Sequence, residues 1–305
     1  MKDTIYYKQA DLLLQVLPVV AREKHFALKG GTAINFYYRQ LPRLSVDIDL
    51  CYLPINERDK ALNEISESLG RIAERVERQI PGIRITEKIE KEADNWYALI
   101  INNRGVTVKI EPNTVIRGSI YQPGSKELSE KAYKTFERYV RMQVLSFEDL
   151  YAGKICAALD RQHPRDFYDI KLLLENEGMS TKLRKAFIVY LISHNRPILD
   201  VLNPNLKEIK NVYEKEFTGM TVEPISLDEL LDTRYSLLNI LSNDLTDKER
   251  QFLLSFKKMS PEWDLLGLKN IDKLPAVKWK LQNLKQMDSR KHKDAVRRLA
   301  DHLNL

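Results

Sequence analysis

Hydrophobic and polar positions follow two different periods along the first part of the chain. Residues 8–21 and 57–79 carry apolar side chains three and four positions apart, the spacing of an amphipathic helix. Pro18 predicts a bend in the first helix, and Pro81-Gly82 predicts the end of the second. Apolar runs without this spacing predict strands over residues 25–28, 83–89, 96–102 and 106–111.

The alternating residues 46–51 predict one more strand, and Asn102-Asn103-Arg104-Gly105 is typical of a tight hairpin between the last two. These strands and helices predict an α+β fold, a small mixed sheet with helices on one side. After Pro123-Gly124-Ser125 the pattern is helical almost throughout. We therefore predict two domains, a sheet domain over residues 1–140 and a helical lobe over residues 141–305.

Composition excludes several classes of protein. A chain of 305 residues with 43% hydrophobic and 30% charged residues is typical of a soluble globular protein with a substantial core. No apolar run approaches the length of a membrane span and no signal peptide is evident, so we expect a cytoplasmic protein. Cys51 and Cys156 are too few for a disulfide framework, so we expect both to be buried. The five histidines lack metal-ligand spacing: His25, His163, His194, His292 and His302.

Asp47 and Asp49 stand two positions apart in a predicted strand, so their carboxylates point to the same face. Carboxylates this close repel each other unless a cation lies between them. A magnesium ion, which binds carboxylates together with substrate phosphates, would satisfy that condition. Taken alone, the pair is equally the solvated face of an edge strand.

Gly30 and Gly31 follow a predicted strand and open an apolar helix. Glycines at a helix N-terminus let main-chain N–H groups approach an anion closely, although such a pair is often just a turn. Here the glycine pair precedes the Asp-x-Asp strand by about the length of one helix. This combination is a much more specific sign of a nucleotide site than either motif alone. The combination predicts a metal-dependent nucleotide site.

Lys-Gly-Gly-Thr-Ala, followed by Arg43-x-Ser45-x-Asp47-Ile48-Asp49, resembles the AbiEii/AbiGii toxin family of the polymerase-β-like nucleotidyltransferase superfamily. The resemblance implies a nucleotidyltransferase domain that binds a nucleoside triphosphate (NTP) and one or two Mg²⁺ ions. Asp47 and Asp49 would hold the metal, and Arg43 would face the same pocket or pair with a carboxylate. The implied nucleotide-binding residues in this segment are Gly30, Gly31, Thr32 and Ser45.

Glu111 is the candidate for a third carboxylate. The superfamily takes its third acidic residue, usually Asp, from a strand at about this place, and Lys109 and Glu111 alternate on one face of a predicted strand. Glu111 would bind a second metal ion or accept the proton of an attacking hydroxyl. The alternative is an exposed Lys–Glu pair on a hairpin.

Further candidates lie where the helical pattern begins. Ser146 and Asp149 predict a capped helix that carries Lys154 among small residues, and Asp166 and Asp169 would share one face of the next helix. By the resemblance, Lys154 contacts the triphosphate and neutralises the leaving pyrophosphate, while Asp166 or Asp169 orients the nucleotide. The alternative is an interhelix turn, with Asp166 favoured by the helix dipole.

The net charge of +6 is unevenly distributed. Residues 278–298 hold eight Lys or Arg against two Asp, a surplus as large as that of the whole chain. Such a helix can follow a phosphate backbone, or it can be a solvated helix face. The candidates for RNA contact are Lys278, Lys280, Lys285, Arg290, Lys291, Arg297 and Arg298.

The resemblance implies the toxin of a toxin–antitoxin or phage-abortive-infection pair, with a cognate antitoxin as a partner. Some relatives transfer nucleotides to the 3′ end of tRNA. Our hypothesis is therefore Mg²⁺-dependent transfer of a nucleotide from an NTP to an RNA hydroxyl, with tRNA as the expected acceptor. Two alternatives stay open: modification of a protein acceptor, and nucleotide binding without catalysis.

Overall fold

The computed structural model describes residues 4–90 and 95–305 and confirms the predicted α+β fold. A seven-stranded mixed sheet forms its centre. The strands are β1 (Phe26–Lys29), β2 (Asp47–Tyr52), β3 (Ile83–Ile89), β4 (Trp96–Asn103), β5 (Val106–Asn113), β6 (Gly124–Glu127) and β7 (Arg141–Val144).

Strand β2 lies in the middle of the sheet, whose order is β3-β4-β5-β2-β1-β7-β6. It pairs antiparallel with β1 and parallel with β5. The hairpin of β4 and β5 turns at Arg104 and Gly105, whose φ angles of 52° and 83° are both left-handed. This is the backbone of a two-residue hairpin turn, which confirms the predicted hairpin.

Two helices cover one face of the sheet. Helix α1 (Ile5–Val20) packs against β5 and β2, helix α3 (Arg58–Gln79) packs against β4 and β3, and the two helices contact each other. Ile48, Leu50 and Ile110 are fully buried, whereas Asp47 and Asp49 on β2 and Lys109 and Glu111 on β5 are half-buried. This alternation is typical of a sheet with one face in the core.

Strands β6 and β7 were not predicted, so the expectation of an almost wholly helical chain after residue 123 is wrong. The Pro123-Gly124-Ser125 link leads directly into β6. Both strands have only four residues, and β6 consists of Gly-Ser-Lys-Glu, which lacks the apolar alternation of a strand. Strand β7 joins the sheet by pairing parallel with β1, a long-range contact that the local pattern does not reveal.

The remaining helices begin with a short turn after β1 and then dominate the chain from residue 147. Helix α5 starts as predicted, because the main-chain N–H of Asp149 donates to Ser146 Oγ at 3.0 Å. No helix in the described ranges is both long and apolar enough to cross a membrane. The helices other than α1 and α3 are α2 (Gly30–Ala33), α4 (Glu130–Phe136), α5 (Phe147–Arg161), α6 (Pro164–Asn176), α7 (Thr181–Ser193), α8 (Ile198–Leu202), α9 (Lys210–Val212), α10 (Leu227–Asn243), α11 (Asp247–Lys257), α12 (Pro275–Lys285) and α13 (Ser289–Leu303).

The chain divides into two compact units. The first contains residues 1–150 and 217–224, and the second contains residues 151–216 and 225–305. Compared with the predicted division at residue 140, the first unit extends to residue 150 and includes a later segment. That segment pairs with residues 42–44: Leu44 N donates to Met220 O at 2.8 Å, and Val222 N donates to Pro42 O at 2.9 Å.

Candidate active site

The central strands bring three carboxylates to one face of the sheet. Asp47 and Asp49 alternate with buried residues on β2, and the parallel register sets Asp49 opposite Glu111 and Asp47 opposite Lys109. Paired residues on neighbouring strands point to the same side. The three acids are half-buried. The sheet therefore assembles the predicted acidic face opposite the face that carries the core.

The glycine turn touches this face. Gly30 has a φ of 72°, in the left-handed region, and Lys29 pairs with Asp49 in the antiparallel register of β1 and β2. A Cβ atom on Gly30 would overlap the Asp49 carboxylate and lie 3.1 Å from its Cγ. Glycine is thus required at position 30 both by the backbone and by the carboxylate.

Gly31 makes room for two other predicted residues. A Cβ atom there would lie 2.6 Å from Arg43 Nη2 and 3.0 Å from Ser45 Oγ. Arg43 is only 2% exposed and donates from Nη1 to the Leu44 carbonyl at 2.8 Å. Arg43 and Ser45 therefore pack against the glycine turn as buried side chains.

Thr32 supports the strand that carries the aspartates. Its hydroxyl donates to the main-chain carbonyl of Asp47 at 2.5 Å and lies 3.0 Å from Ser45 Oγ. Thr32 is 1% exposed. The hydroxyl is engaged inside the protein, and its contact with a phosphate stays a prediction.

Glu111 forms the ion pair that the alternative interpretation described. Lys109 Nζ lies 2.5 Å from Glu111 Oε2, and both side chains are more than one-third exposed. In the part of the chain that the structure describes, no three acidic, His or Cys side chains gather closely enough to hold a metal ion. The role of Glu111 as a third ligand therefore stays a prediction.

Asp47 and Asp49 by themselves fit a magnesium ion. Mg²⁺ takes oxygen ligands and in nucleotide enzymes binds one or two carboxylates together with water and substrate phosphates. Two carboxylates on one strand face, with the Gly30 backbone against one of them, supply that donor set beside a turn suited to anions.

A cavity of about 450 Å³ opens beside Asp49 and Glu111. We call it the aromatic cavity, because Trp96 and Tyr97 at the start of β4 line it. Asp49 and Glu111 were predicted from the sequence, and Lys29 directly precedes the predicted glycine pair. The other lining residues were not predicted, since they come from segments distant in sequence. The lining residues are Lys29, Asp49, Arg58, Leu62, Glu90, Asn95, Trp96, Tyr97, Glu111, Pro112, Asn113 and Thr114.

In the second unit, Lys154 joins a buried ionic cluster. Its Nζ lies 2.8 Å from Asp166 Oδ1 and 3.0 Å from Asp169 Oδ2, and neither aspartate is exposed to solvent. Arg161 Nε also donates to Asp166 Oδ2 at 2.5 Å. Burial alone would raise the pKa of Asp166, but Lys154 and Arg161 outweigh it and hold this pKa well below its ordinary value.

The start of α6 has the turn between helices that the alternative interpretation described. Pro164 is its first residue, His163 Nδ1 accepts from Arg165 N at 3.1 Å, and Asp166 lies in the first turn. The small residue next to Lys154 also has a structural explanation, because a Cβ on Gly153 would lie 3.2 Å from the Tyr190 ring. The contacts of Lys154, Asp166 and Asp169 with a nucleotide stay predictions.

Lys280 differs from its predicted role in RNA contact. It is 7% exposed, and its Nζ donates to the main-chain carbonyls of His194 and Arg196 at 2.7 and 2.6 Å. The ammonium thus binds main-chain carbonyls of the segment that directly follows α7. Burial lowers the pKa of Lys280 to about 8. The other predicted RNA-contact residues are exposed: Lys278, Lys285, Arg290, Lys291, Arg297 and Arg298.

The two cysteines are free and buried, as predicted. Burial raises the pKa of the Cys51 thiol to about 12, so this thiol is protonated at neutral pH. The cysteines therefore belong to the packing of the protein.

The fold is that of a nucleotidyltransferase. It is similar to MenT4, a nucleotidyltransferase toxin from Mycobacterium tuberculosis H37Rv, with a TM-score of 0.61 over 97% of this chain and 93% of that chain. The sequence identity is 11%, so this likeness shows the fold alone.

Family membership makes the identification more specific. The model of the nucleotidyl transferase AbiEii toxin family, of type IV toxin–antitoxin systems, matches residues 11–283. The chain belongs to this family and is a nucleotidyltransferase toxin, as the resemblance implied. No curated protein matches the chain.

Proposed function

We propose that this toxin transfers a nucleotide from an NTP to a hydroxyl at the 3′ end of tRNA and that Mg²⁺ is required. The hydroxyl oxygen bonds to the α-phosphate, pyrophosphate leaves, and the hydroxyl proton goes to a base. The observation that carries the proposal is the contact of Gly30 with the Asp49 carboxylate. It joins an anion-binding turn to a cation-binding strand at one point, and transfer of a nucleotidyl group needs both.

Asp47 and Asp49 are the proposed metal ligands. When bound, a divalent cation polarises phosphoryl oxygens and neutralises charge that develops on them. The main-chain N–H groups of Gly30 and Gly31 would donate to phosphate oxygens, and Lys29 would add a positive charge beside them. Glu111, in register with Asp49, is the proposed acceptor of the hydroxyl proton.

The choice of RNA rests on exposed positive charge. Helices α12 and α13 present most of the basic residues of segment 278–298 to solvent. Exposed Lys and Arg side chains along helices are suited to phosphate contacts, whose contribution weakens as salt is added. An RNA acceptor would use this surface, whereas a protein acceptor would not require it.

The test incubates the purified protein with Mg²⁺, total RNA and each α-³²P-labelled NTP in turn, followed by a denaturing gel. We expect labelled RNA of tRNA length with the wild type and none with Asp49→Ala. Asp272→Ala, which removes an exposed aspartate of the second unit, is the matched control and should leave labelling unchanged. Circular dichroism checks that both variants are folded.

Three outcomes would contradict the proposal. Full labelling by a folded Asp49→Ala protein would remove the metal site from the reaction. Label on a protein band would replace RNA with a protein acceptor. No labelled product with any NTP would leave binding without transfer as the activity of this site.

A further inference from the structure

The aromatic cavity has an unusual wall at the start of β4. Consecutive residues of a regular strand point to opposite faces, yet both Trp96 and Tyr97 line this cavity. The pairing of β3 with β4 shifts register between Lys88 and Ile89, so that Ile89 pairs with Trp96 while Lys88 pairs with Ala98. Such a bulge redirects side chains, and bulges are common beside active sites. Here it brings two neighbouring aromatic rings to one cavity.

The aromatic cavity lies next to the proposed catalytic carboxylates, since Asp49 and Glu111 line it. In the strand order β4-β5-β2-β1, the aromatic wall lies on the β4 side of the β2 aspartates and the glycine turn lies on the β1 side. In an in-line displacement the attacking and leaving oxygens lie on opposite sides of the phosphorus atom. Lys29, next to the glycine turn, lines the other end of the cavity. If the triphosphate lies at that end, the attacking hydroxyl approaches from the end that Trp96 and Tyr97 form.

The chemistry of the wall matches a nucleotide. Tyr97 is 39% exposed and Trp96 is half-buried, so both can offer a ring to a ligand. Aromatic side chains stack against the exposed bases of single-stranded RNA. Arg58, at the exposed start of α3, adds a cation suited to a phosphate. A cavity of about 450 Å³ falls in the range of small-molecule sites.

We infer that the aromatic cavity binds the terminal nucleotide of the RNA acceptor, with Tyr97 stacking on its base and Arg58 facing its backbone phosphate. The inference rests on the proposed function, since it places the acceptor opposite the triphosphate across Asp49. Bound in this way, the terminal nucleotide would carry its free hydroxyl toward Asp49 and Glu111. The aromatic cavity would then favour single-stranded 3′ ends, because an unpaired base is free to turn its face to Tyr97.

Binding is measured first, without transfer. Trp96 is an internal fluorophore in the wall, and the fluorescence of wild type minus Trp96→Phe isolates its signal. We expect a short single-stranded RNA to quench this signal in the absence of metal and NTP. Tyr97→Ala should weaken the RNA affinity about tenfold, and Tyr97→Phe, which keeps the ring, should bind nearly as the wild type does. Tyr133→Ala, at a tyrosine that is 49% exposed on α4, is the matched control and should change nothing.

Kinetics then distinguishes the two substrates. Tyr97→Ala should raise the KM for RNA about tenfold and leave the KM for the NTP unchanged. Arg58→Ala should weaken RNA binding. A plot of the logarithm of the RNA association constant against the logarithm of the salt concentration should become less steep, by about 1 in slope.

The results separate this inference from the proposed function. Quenching by an NTP but not by RNA would overturn the inference, because the cavity would then hold the incoming nucleotide. Unchanged RNA affinity in a folded Tyr97→Ala protein that still labels RNA would also overturn it and would leave the proposed function standing. RNA could also quench the fluorescence in a way that depends on Tyr97 while the wild type labels no RNA. That result would support RNA binding in the aromatic cavity and overturn the proposed nucleotide transfer.

Discussion

The two aspartate pairs of this protein lie in opposite environments. Asp47 and Asp49 are half-buried on a strand, beside a cavity and a glycine turn. Asp166 and Asp169 are fully buried on a helix, and Lys154 lies within 3.0 Å of both. The sequence motifs of the two pairs are alike, an acidic residue repeated within one turn or one strand face. Their surroundings differ in access to water, since the β2 pair is half-buried and the α6 pair is fully buried.

This difference indicates what each pair contributes. A carboxylate that is closed off from water must be compensated by charges of the protein itself, so its removal leaves buried cations without a partner. A carboxylate at a cavity can be compensated from solution, by a metal ion or a substrate. We therefore expect the α6 pair to contribute mainly to stability and the β2 pair mainly to binding and catalysis.

The largest expected effect on stability is that of Asp166→Ala. The change removes one of the two aspartate partners of buried Lys154, and breaking a buried pair from one side costs up to about 3–5 kcal/mol. Urea unfolding followed by circular dichroism measures this loss. Asp160→Ala is the control, because Asp160 pairs with Arg196 at the surface and such pairs contribute less than about 1 kcal/mol. Equal losses in the two variants would contradict the comparison.

A smaller effect is expected for Gly30→Ala. Alanine at a left-handed φ costs roughly 1–2 kcal/mol, and here the added Cβ would also displace the Asp49 carboxylate. Gly105→Ala, at a φ of 83° with no atom within 4 Å of its added Cβ, isolates the backbone cost. We expect the two variants to differ slightly in the free energy of unfolding and strongly in nucleotide transfer, which only Gly30→Ala should abolish. Normal transfer by Gly30→Ala would show that Asp49 need not keep its position.

Acid should weaken the α6 cluster. The pKa of Asp166 is lowered in the folded protein, so below its ordinary value of 3.8 the unfolded chain takes up a proton that the folded protein does not. The free energy of unfolding should therefore fall as the pH is lowered through about 4, by at most about 1.4 kcal/mol per pH unit for this one proton. In Asp166→Asn this part of the slope should be missing. If the wild type and Asp166→Asn had the same slope of unfolding free energy against pH between about pH 5 and about pH 3, this prediction would be wrong.

The smallest expected change in stability is that of Asp49→Asn. Its side chain is half-buried at the edge of a cavity, so loss of its charge should alter the free energy of unfolding by less than about 0.5 kcal/mol. The same variant should lose nucleotide transfer. A loss of stability as large as that of Asp166→Ala would show that the two pairs do not differ in the way proposed here.

The sequence predicted correctly those features whose residues lie close together along the chain. The glycine pair and the β2 aspartates lie within one short segment, so helical and strand periods alone indicated their arrangement. The turn of the β4–β5 hairpin was predictable for the same reason, because Arg104-Gly105 is itself the turn.

The remaining features depend on contacts between distant segments. Strands β6 and β7 exist because they pair with each other and with β1, and four residues are too few for a detectable period. Lys280 was predicted as part of a basic RNA-contact surface, but its partners are main-chain carbonyls of the segment that follows α7. The aromatic cavity is likewise assembled from β1, β2, α3, β4 and β5, so no single window of the sequence contains it.

The segment that pairs residues 42–44 with residues 220–222 bears on how the protein is made. Synthesis proceeds from the N-terminus, so residues 1–150 leave the ribosome well before Met220 and Val222 can pair with Leu44 and Pro42. The unit that carries Asp47 and Asp49 is therefore completed only after much of the second unit has been translated. A nascent or truncated chain that ends before residue 217 lacks part of this unit, so we expect toxicity only from chains that extend at least through residue 224.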